Sequence, residues 1–380
     1  MKKILFGVMA LGVMVCGLMA CGSGNDSEKP QPGPDPEPET DPAVYAKGAD
    51  ISWVTEQEAD GVKFYDSEGK ETDCFALMKK IGMNAIRLRV WVNPETAAQK
   101  DAKDGGYGSA YSGKDDVVAK AVRAKAQGLA VMIDFHYSNL FADPGRQLTP
   151  NAWREKTLEG LCEAVAGHTT EVLNALKAKG VTPLWIQVGN ETRPGMLHPT
   201  GQLWNEKGDL PNGWANYAKL SNAGYAAAKA VCPQATVMVH IDNAYEDNNW
   251  WFDKFKAAGG KFDMIGLSHY PQVADKASGW KEANSLALKH IEELAARYNV
   301  PVMVSEVGVI AEDSGADACL KEFMEGARKI SQCKGVFYWE PQVYNGWRPK
   351  VYREVFGWGA YNMGGFTKEG RPAAFMDVFK

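Results

Sequence analysis

Leu184-Trp185-Ile186-Gln187-Val188-Gly189-Asn190-Glu191 is a short apolar run that stops on a glycine, an amide and a carboxylate. The apolar part, Leu184–Val188, has the length of a buried strand and follows a long amphipathic segment, Trp153–Lys179. Working outward in both directions, the same beat recurs. Candidate strands are Gly48–Trp53, Ala85–Trp91, Ala130–Phe135, Thr236–Ile241, Met264–Ser268, Val302–Ser305 and Val336–Trp339, and helical stretches fall between them at Asp115–Gln127, Trp214–Val231, Trp280–Tyr298 and Ala316–Ile330. Eight β/α beats between Tyr45 and Lys380 predict one α/β domain, a closed (β/α)8 TIM barrel. An open doubly wound sheet normally carries a Gly-rich phosphate turn after its first strand. Here Ser52-Trp53-Val54-Thr55-Glu56 follows Ile51, and no P-loop, HExxH, GxSxG or EF-hand loop occurs elsewhere.

In such a barrel, chemistry sits where the strands end at their C-terminal face. The ends read Asp50/Trp53, Arg87-Leu88-Arg89-Val90-Trp91, Asp134-Phe135-His136-Tyr137, Gly189-Asn190-Glu191, His240-Ile241-Asp242-Asn243, Ser268-His269-Tyr270, Ser305-Glu306 and Tyr338-Trp339-Glu340. Every strand delivers polar, ionisable or large aromatic side chains to one rim, the pattern of an enzyme site. Glu191 after the fourth strand and Glu306 at the end of the seventh lie three strands apart, so they face each other across the mouth. Glycoside hydrolysis needs such a pair, one carboxyl to protonate the leaving oxygen and one to attack or to activate water.

Asn190-Glu191 and a glutamate ending the seventh strand resemble the retaining (β/α)8 glycoside hydrolases. The finer resemblance is to glycoside hydrolase family 53, the arabinogalactan endo-β-1,4-galactanases. It is carried by Gly48–Ser52, Ile86–Pro94, Asp134–Ser138, Ala142–Gly145, Val188–Glu191, Gly266–Pro271 and Phe337–Pro341, in order, over residues 47–380. The resemblance implies Glu306 as nucleophile and Glu191 as acid/base, with the carboxyls roughly 5–5.5 Å apart for retention. Arg87 is expected beside Glu306, lowering its pKa, with Asn190 on the sugar 2-OH, Tyr270 orienting Glu306, and Trp339 as a stacking floor. Asp134 and His136 share a strand face and serve either the site or a buried pair. Asp242 and Asn243 serve either sugar hydroxyls or a loop. The implied substrate is β-1,4-galactan, and the chemistry requires no cofactor. Departures from the family pattern stand at Phe141, His198 and His269, all expected in the cleft. Some bacterial relatives hold calcium near the last strands, and Glu312, Asp313 and Asp317 leave a structural calcium ion open without matching a known calcium loop.

Composition narrows the alternatives. The 380 residues carry 42 Lys+Arg against 47 Asp+Glu, a net charge of −5, so no basic stripe suggests nucleic acid. Aromatic residues reach 11%, more than a core requires. A metal-dependent hydrolase built on Asp134, His136 and His269 would have a thin ligand set with six histidines in the chain. A non-catalytic glycan-binding protein would have no reason to keep both carboxylates beside Arg87 and Asn190. A retaining enzyme for another polymer, such as mannan, keeps the chemistry and changes the pocket. The expected domain is a monomer.

The N-terminus carries an address. Met1-Lys2-Lys3 and the apolar stretch Ile4–Ala20 read as a secretory signal, residues 1–20. Leu18-Met19-Ala20-Cys21 resembles a bacterial lipobox, which implies cleavage before Cys21, its acylation, and insertion of the acyl chains into a lipid bilayer. Residues 21–44 form a Pro-rich linker; in polyproline geometry, at about 3.1 Å per residue, Pro30–Pro42 would reach on the order of 40 Å. The expected location is therefore lipid-anchored, at a bacterial outer membrane or cell surface. Cys74, Cys162, Cys232, Cys319 and Cys333 remain, with no CxxC spacing; Cys319–Cys333 could pair, and buried thiols fit equally.

Overall fold

The computed structural model describes residues 45–96 and 110–380; the signal segment, Cys21 and the linker lie outside the described residues. Eight strands form the frame: β1 Ala46–Asp50, β2 Ala85–Val90, β3 Ala130–Phe135, β4 Trp185–Val188, β5 Thr236–Ile241, β6 Met264–His269, β7 Val302–Val307 and β8 Cys333–Trp339. All pair in parallel, each with its neighbours in sequence, and β8 returns to β1 to close the ring. Helices α1 Val54–Ala59, α2 Cys74–Lys80, α3 Lys114–Ala126, α4 Leu158–Ala178, α5 Gly213–Val231, α6 Asn249–Ala257, α7 Trp280–Tyr298 and α8 Ala316–Lys329 run between the strands. This is the (β/α)8 barrel that the alternation predicts.

Local chemistry sets the boundaries. In α4 the apolar positions Leu161, Val165, Val172, Leu173 and Leu176 recur at helical spacing and are buried against the barrel. That helix begins at Leu158 rather than Trp153, because the Thr157 side chain accepts from Gly160 N and caps it there. Strand β1 ends at Asp50, short of the expected Trp53. The Asp50 carboxylate accepts from Ser52 N at 3.0 Å and Ser52 Oγ at 2.6 Å, which turns the chain into α1. Helices α1, α2 and α6 are too short for their periodicity to stand out. All five described cysteines are free thiols, so Cys319 and Cys333 form no bridge.

Apolar side chains fill three zones. The largest packs the helices against the outer face of the barrel. A second plugs the lower interior with Ala46, Ala85, Ala130, Met132, Trp185, Met238, Met264, Met303 and Phe337. Gly48 makes room for this plug: a Cβ there would lie 2.2 Å from the Phe337 ring. The third zone is aromatic, with Trp53, Trp91, Phe141, Trp347 and Tyr352 under the rim around Arg89. Among the tryptophans, Trp53, Trp91, Trp251 and Trp347 are buried, while Trp250 is exposed.

Candidate active site

Along each strand the inward row that is apolar below turns polar above. Arg87 follows Ala85 on β2, Asp134 follows Met132 on β3, Gln187 follows Trp185 on β4, His240 follows Met238 on β5 and Ser268 follows Met264 at a spacing of four on β6. Strand β7 breaks the alternation. Its register slips against β6, where Leu267 pairs Val304 but Ser268 pairs Glu306, and it slips against β8 in the same stretch. This bulge lets Ser305 and Glu306 both serve the interior: Ser305 Oγ meets Met238 Sδ while Glu306 reaches Arg87.

Arg87 is the hub. Its guanidinium contacts Asp50 at 2.7 Å, Asp134 at 2.9 Å and Glu306 at 2.9 Å, and donates to Asn190 Oδ1 at 2.8 Å and Gln187 Oε1 at 3.2 Å. A buried cation with three carboxylates and two amide oxygens has its donors directed at acceptors, which removes the main penalty of burial. Tyr270 Oη donates to the other Glu306 oxygen, Oε2, at 2.7 Å. Burial pushes Glu306 up, and Arg87 and Tyr270 pull against that push; the carboxyl settles at about 7. Arg87 thus acts in the expected direction, but burial outweighs it, so the nucleophile candidate sits above rather than below the ordinary carboxylate range.

Glu191 has no such cation. Burial, then Glu306, then Asp242 all raise it well above the usual range, and the nearby Ser268 hydroxyl opposes them. Its backbone takes a positive φ of 45°, an uncommon conformation for a side chain of this size. The turn is held by Gln147, whose Nε2 donates to Asn190 O at 2.8 Å and Glu191 O at 3.3 Å, and by the Glu191 N–H donating to His240 Nδ1 at 3.4 Å. Gly189 precedes it with φ 83°, where only glycine is comfortable.

Asn190 is buried between these groups. Its Oδ1 accepts from Arg87, and its Nδ2 donates one hydrogen to Ala142 O at 2.8 Å, leaving a second. His136 Nδ1 accepts from Ala142 N at 2.9 Å, so its Nε2 carries the proton and donates to Asp134 at 2.9 Å. Burial raises Asp134, but Arg87 and His136 overcome it and hold this carboxylate below its usual range. The pair is therefore both buried and at the site, since His136 also lines the cavity.

A cavity of about 160 Å³ opens above this network, lined by His136, Phe141, Ala142, Asp143, Asn190, Glu191, Tyr270, Glu306, Trp339, Tyr352 and Trp358. Both glutamates, Asn190, Tyr270 and Trp339 thus meet around one space. Trp339 is half-exposed there, braced edge-on by Trp53 and Tyr361 with ring centroids 5.0 and 4.7 Å away. Asp242 and Asn243 stand apart from the lining residues. Asp242 accepts from Arg193 Nε at 2.6 Å, and Asn243, at φ 53°, donates to Glu246.

Phe141 lines the cavity as expected, but His269 does not. Its place on β6 is out of phase with Ser268, so it points outward, stacks on Phe323 and bonds Asn284 Oδ1 at 2.9 Å. His198 lies beyond the cavity lining and reaches Pro194 O. Asp134, His136 and His269 consequently do not converge. Among the described residues no group of three or more His, Cys, Asp or Glu side chains is arranged to hold a metal ion; Glu312 and Asp313 instead bond Asn345 and Gly315 N.

Several functional neighbours were not singled out from sequence. Gln187, His240 and Ser268 carried a signal, being polar residues in phase with inward apolar ones. Gln147, Tyr352 and Trp358 lie in long connections with no period to read. Arg89, paired with Glu340 and faced by three aromatic rings, supports the rim rather than lining the cavity.

The model for the family described as glycosyl hydrolase family 53 matches residues 46–379. A protein from Thermothelomyces thermophilus named arabinogalactan endo-beta-1,4-galactanase is 29% identical over 89% of this chain and 99% of its own length. One of the same name from Cellvibrio japonicus is 31% identical over 83% of this chain and 84% of its own. Among solved structures, the GH53 catalytic domain of Ignisphaera aggregans superposes with a TM-score of 0.74 at 26% identity, covering 90% of this chain and 97% of that one.

Proposed function

The chain belongs to glycosyl hydrolase family 53 and is a glycoside hydrolase; from that premise we propose that it cleaves β-1,4-galactan or type I arabinogalactan internally, with retention of configuration. The observation that carries the mechanism is the unequal surroundings of the two glutamates. Burial raises both, but Arg87 and Tyr270 favour the charged form of Glu306, whereas Glu191 has three carboxylates, Glu306, Asp242 and Asp143, against its charged form. Of the two, Glu306 is the carboxyl whose charged form has a cation and a donor to favour it, and Glu191 the one that holds its proton, which divides the roles of nucleophile and acid.

In the first step a Glu306 oxygen attacks the anomeric carbon as Glu191 gives its proton to the glycosidic oxygen, and the shortened chain leaves. Glu306 is then an ester without charge, so its share of the push that holds Glu191 up is gone. Glu191 now takes a proton from water, the resulting hydroxide equivalent attacks the same carbon, and Glu306 departs as carboxylate. Throughout, Arg87 balances the negative charge that returns to Glu306. The second Nδ2 hydrogen of Asn190 suits the sugar 2-OH, and the Trp339 face suits the C–H side of a pyranose. The reaction uses side chains alone and calls for no cofactor.

The Leu18–Cys21 motif and the proline-rich residues that follow support a second part of the reading. The enzyme is tethered by acylated Cys21 and held off a bacterial outer membrane or cell surface to meet polymeric substrate. Cys21→Ser is expected to release it from the membrane fraction; retention there would refute the anchor. The substrate is tested by incubating the protein with galactan, mannan, xylan and β-glucan in parallel. Short galacto-oligosaccharides from galactan alone are the expected result, and cleavage of another polymer in place of galactan would overturn the substrate.

A further inference from the structure

Strand β8 ends on Trp339, which lines the cavity, and the next residue, Glu340, does not. Glu340 is fully buried and has a positive φ of 51°, an uncommon conformation for such a residue that persists only where several contacts fix it. Those contacts are explicit. Its N–H donates to Asp50 O at 2.8 Å. Its carboxylate pairs with Arg89 through Oε1, while Oε2 accepts from Trp53 N at 3.2 Å and from Gln342 Nε2 at 2.6 Å. One side chain thus joins β2, the turn after β1 and the segment after β8, and neither step of the reaction above uses it.

Both partners lead back to the sugar face. Trp53, held through its N–H, stands edge-on to Trp339 with ring centroids 5.0 Å apart. The Arg89 guanidinium carbon lies 5.0 Å from the centre of that Trp53 ring and 4.7 Å from that of Phe141, which also lines the cavity. A buried guanidinium that lost its carboxylate would turn toward another acceptor and away from the rings. Asp50, 3.9 Å away, already serves Arg87. We propose that Glu340, acting through Arg89 and Trp53, is a positioning residue that fixes the plane of Trp339 against the sugar in the cleft. The proposal rests on the reading of Trp339 as the stacking face. It accounts for a carboxylate buried beneath an aromatic rim: an apolar residue could fill the space, but it would hold neither the Trp53 N–H nor the guanidinium.

The test is a double-mutant cycle of Glu340→Gln and Trp339→Ala, read as kcat/KM on galactan with each variant shown to be folded by circular dichroism. Glutamine keeps the volume and removes the charge that orients Arg89. In the parent it should lower kcat/KM by about fivefold, the scale of one aromatic contact. In the Trp339→Ala background it should change kcat/KM by less than about twofold, because the face it orients is gone. A role in stability alone would lower the unfolding midpoint and leave kcat/KM of the folded enzyme unmoved. Equal losses in both backgrounds would mean that Glu340 acts elsewhere; either result overturns the proposal. Should Glu340→Gln fail to fold, Arg89→Lys, which keeps the charge but loses the planar face, must show the same dependence on Trp339. Trp339→Ala alone separates the two levels of the argument. An unchanged kcat/KM there would refute the stacking face itself, whereas a fall there with equal losses from Glu340→Gln in both backgrounds refutes only the positioning.

Discussion

Eight rows of inward-facing side chains run from the bottom of the barrel to its mouth, and their chemistry changes halfway. Below, Met132, Trp185, Met238, Met264 and Phe337 interdigitate without a single charge. Above, in the same inward phase on β1 to β5, Asp50, Arg87, Asp134, Gln187 and His240 form a buried polar network. The lower half gains stability from removing apolar surface from water and has nothing to offer a substrate. The upper half spends much of its interaction energy on desolvation, and what it secures is charge held in a fixed geometry. The bulge on β7 marks the border: it gives up regular pairing so that Glu306 can join the upper network.

Substitutions in the two halves should separate activity from stability. The largest effect is expected from Glu306→Ala, a loss in turnover of about 10³-fold or more, which is on the order of 4 kcal/mol of barrier. Azide should restore activity to that variant and give a product of inverted configuration; activity within tenfold of the parent would remove Glu306 from its role. Arg87→Met leaves Asp50, Asp134 and Glu306 without their shared cation. It should cost about 3–5 kcal/mol of stability together with most of the turnover, measured by urea unfolding and galactan hydrolysis. An unchanged urea midpoint would mean that the network is not the linchpin described here.

In the lower half, Met264→Ala should lose about 2–4 kcal/mol by opening a cavity while kcat at permissive temperature stays as it was. A fall in kcat without a fall in stability would erase the distinction between the halves. At the rim, Trp339→Ala should weaken kcat/KM by about fivefold, the scale of one aromatic contact of about 1 kcal/mol, with little change in unfolding midpoint.

The smallest and most specific effect concerns pH. Glu306 titrates at about 7 in the folded protein, above the ordinary value of 4.5. The folded state therefore binds this proton more tightly than the unfolded chain. The stability it contributes is full below about 4.5 and is lost as pH rises through 7. Glu306→Gln cannot lose that proton. Relative to the parent it should gain stability at pH 8 and gain none at pH 4.5, by thermal unfolding at the two pH values; an equal difference at both would contradict the raised pKa.

Much of this was legible in the chain because strands and inward phase leave a plain period. All eight candidate strands overlap the observed ones, and helix α7 spans the expected Trp280–Tyr298. Glu191, Glu306, Arg87, Asn190 and Tyr270 could be gathered at one rim from sequence because strand ends in a barrel converge, with their roles implied by the family resemblance, and the structure brings them around one network. Period two also shows that His269 faces away once Ser268 is set inward, a consequence that the family comparison obscured. What sequence could not supply were groups brought in by irregular chain. Tyr352 and Trp358 reach the cavity from the long segment after β8, and Gln147 holds the Glu191 turn from another loop, none with a period to betray it. Nor could it weigh Arg87 against burial at Glu306, because that balance depends on how fully the fold excludes water.

The central claim is that Glu306 and Glu191 act as nucleophile and acid/base on a β-galactosidic bond. Proton NMR of the first minutes of β-1,4-galactan hydrolysis tests it most directly. New reducing ends should appear as the β-anomer and only later mutarotate to the α-form; initial release of the α-anomer would contradict the double displacement and with it the roles assigned to both carboxylates.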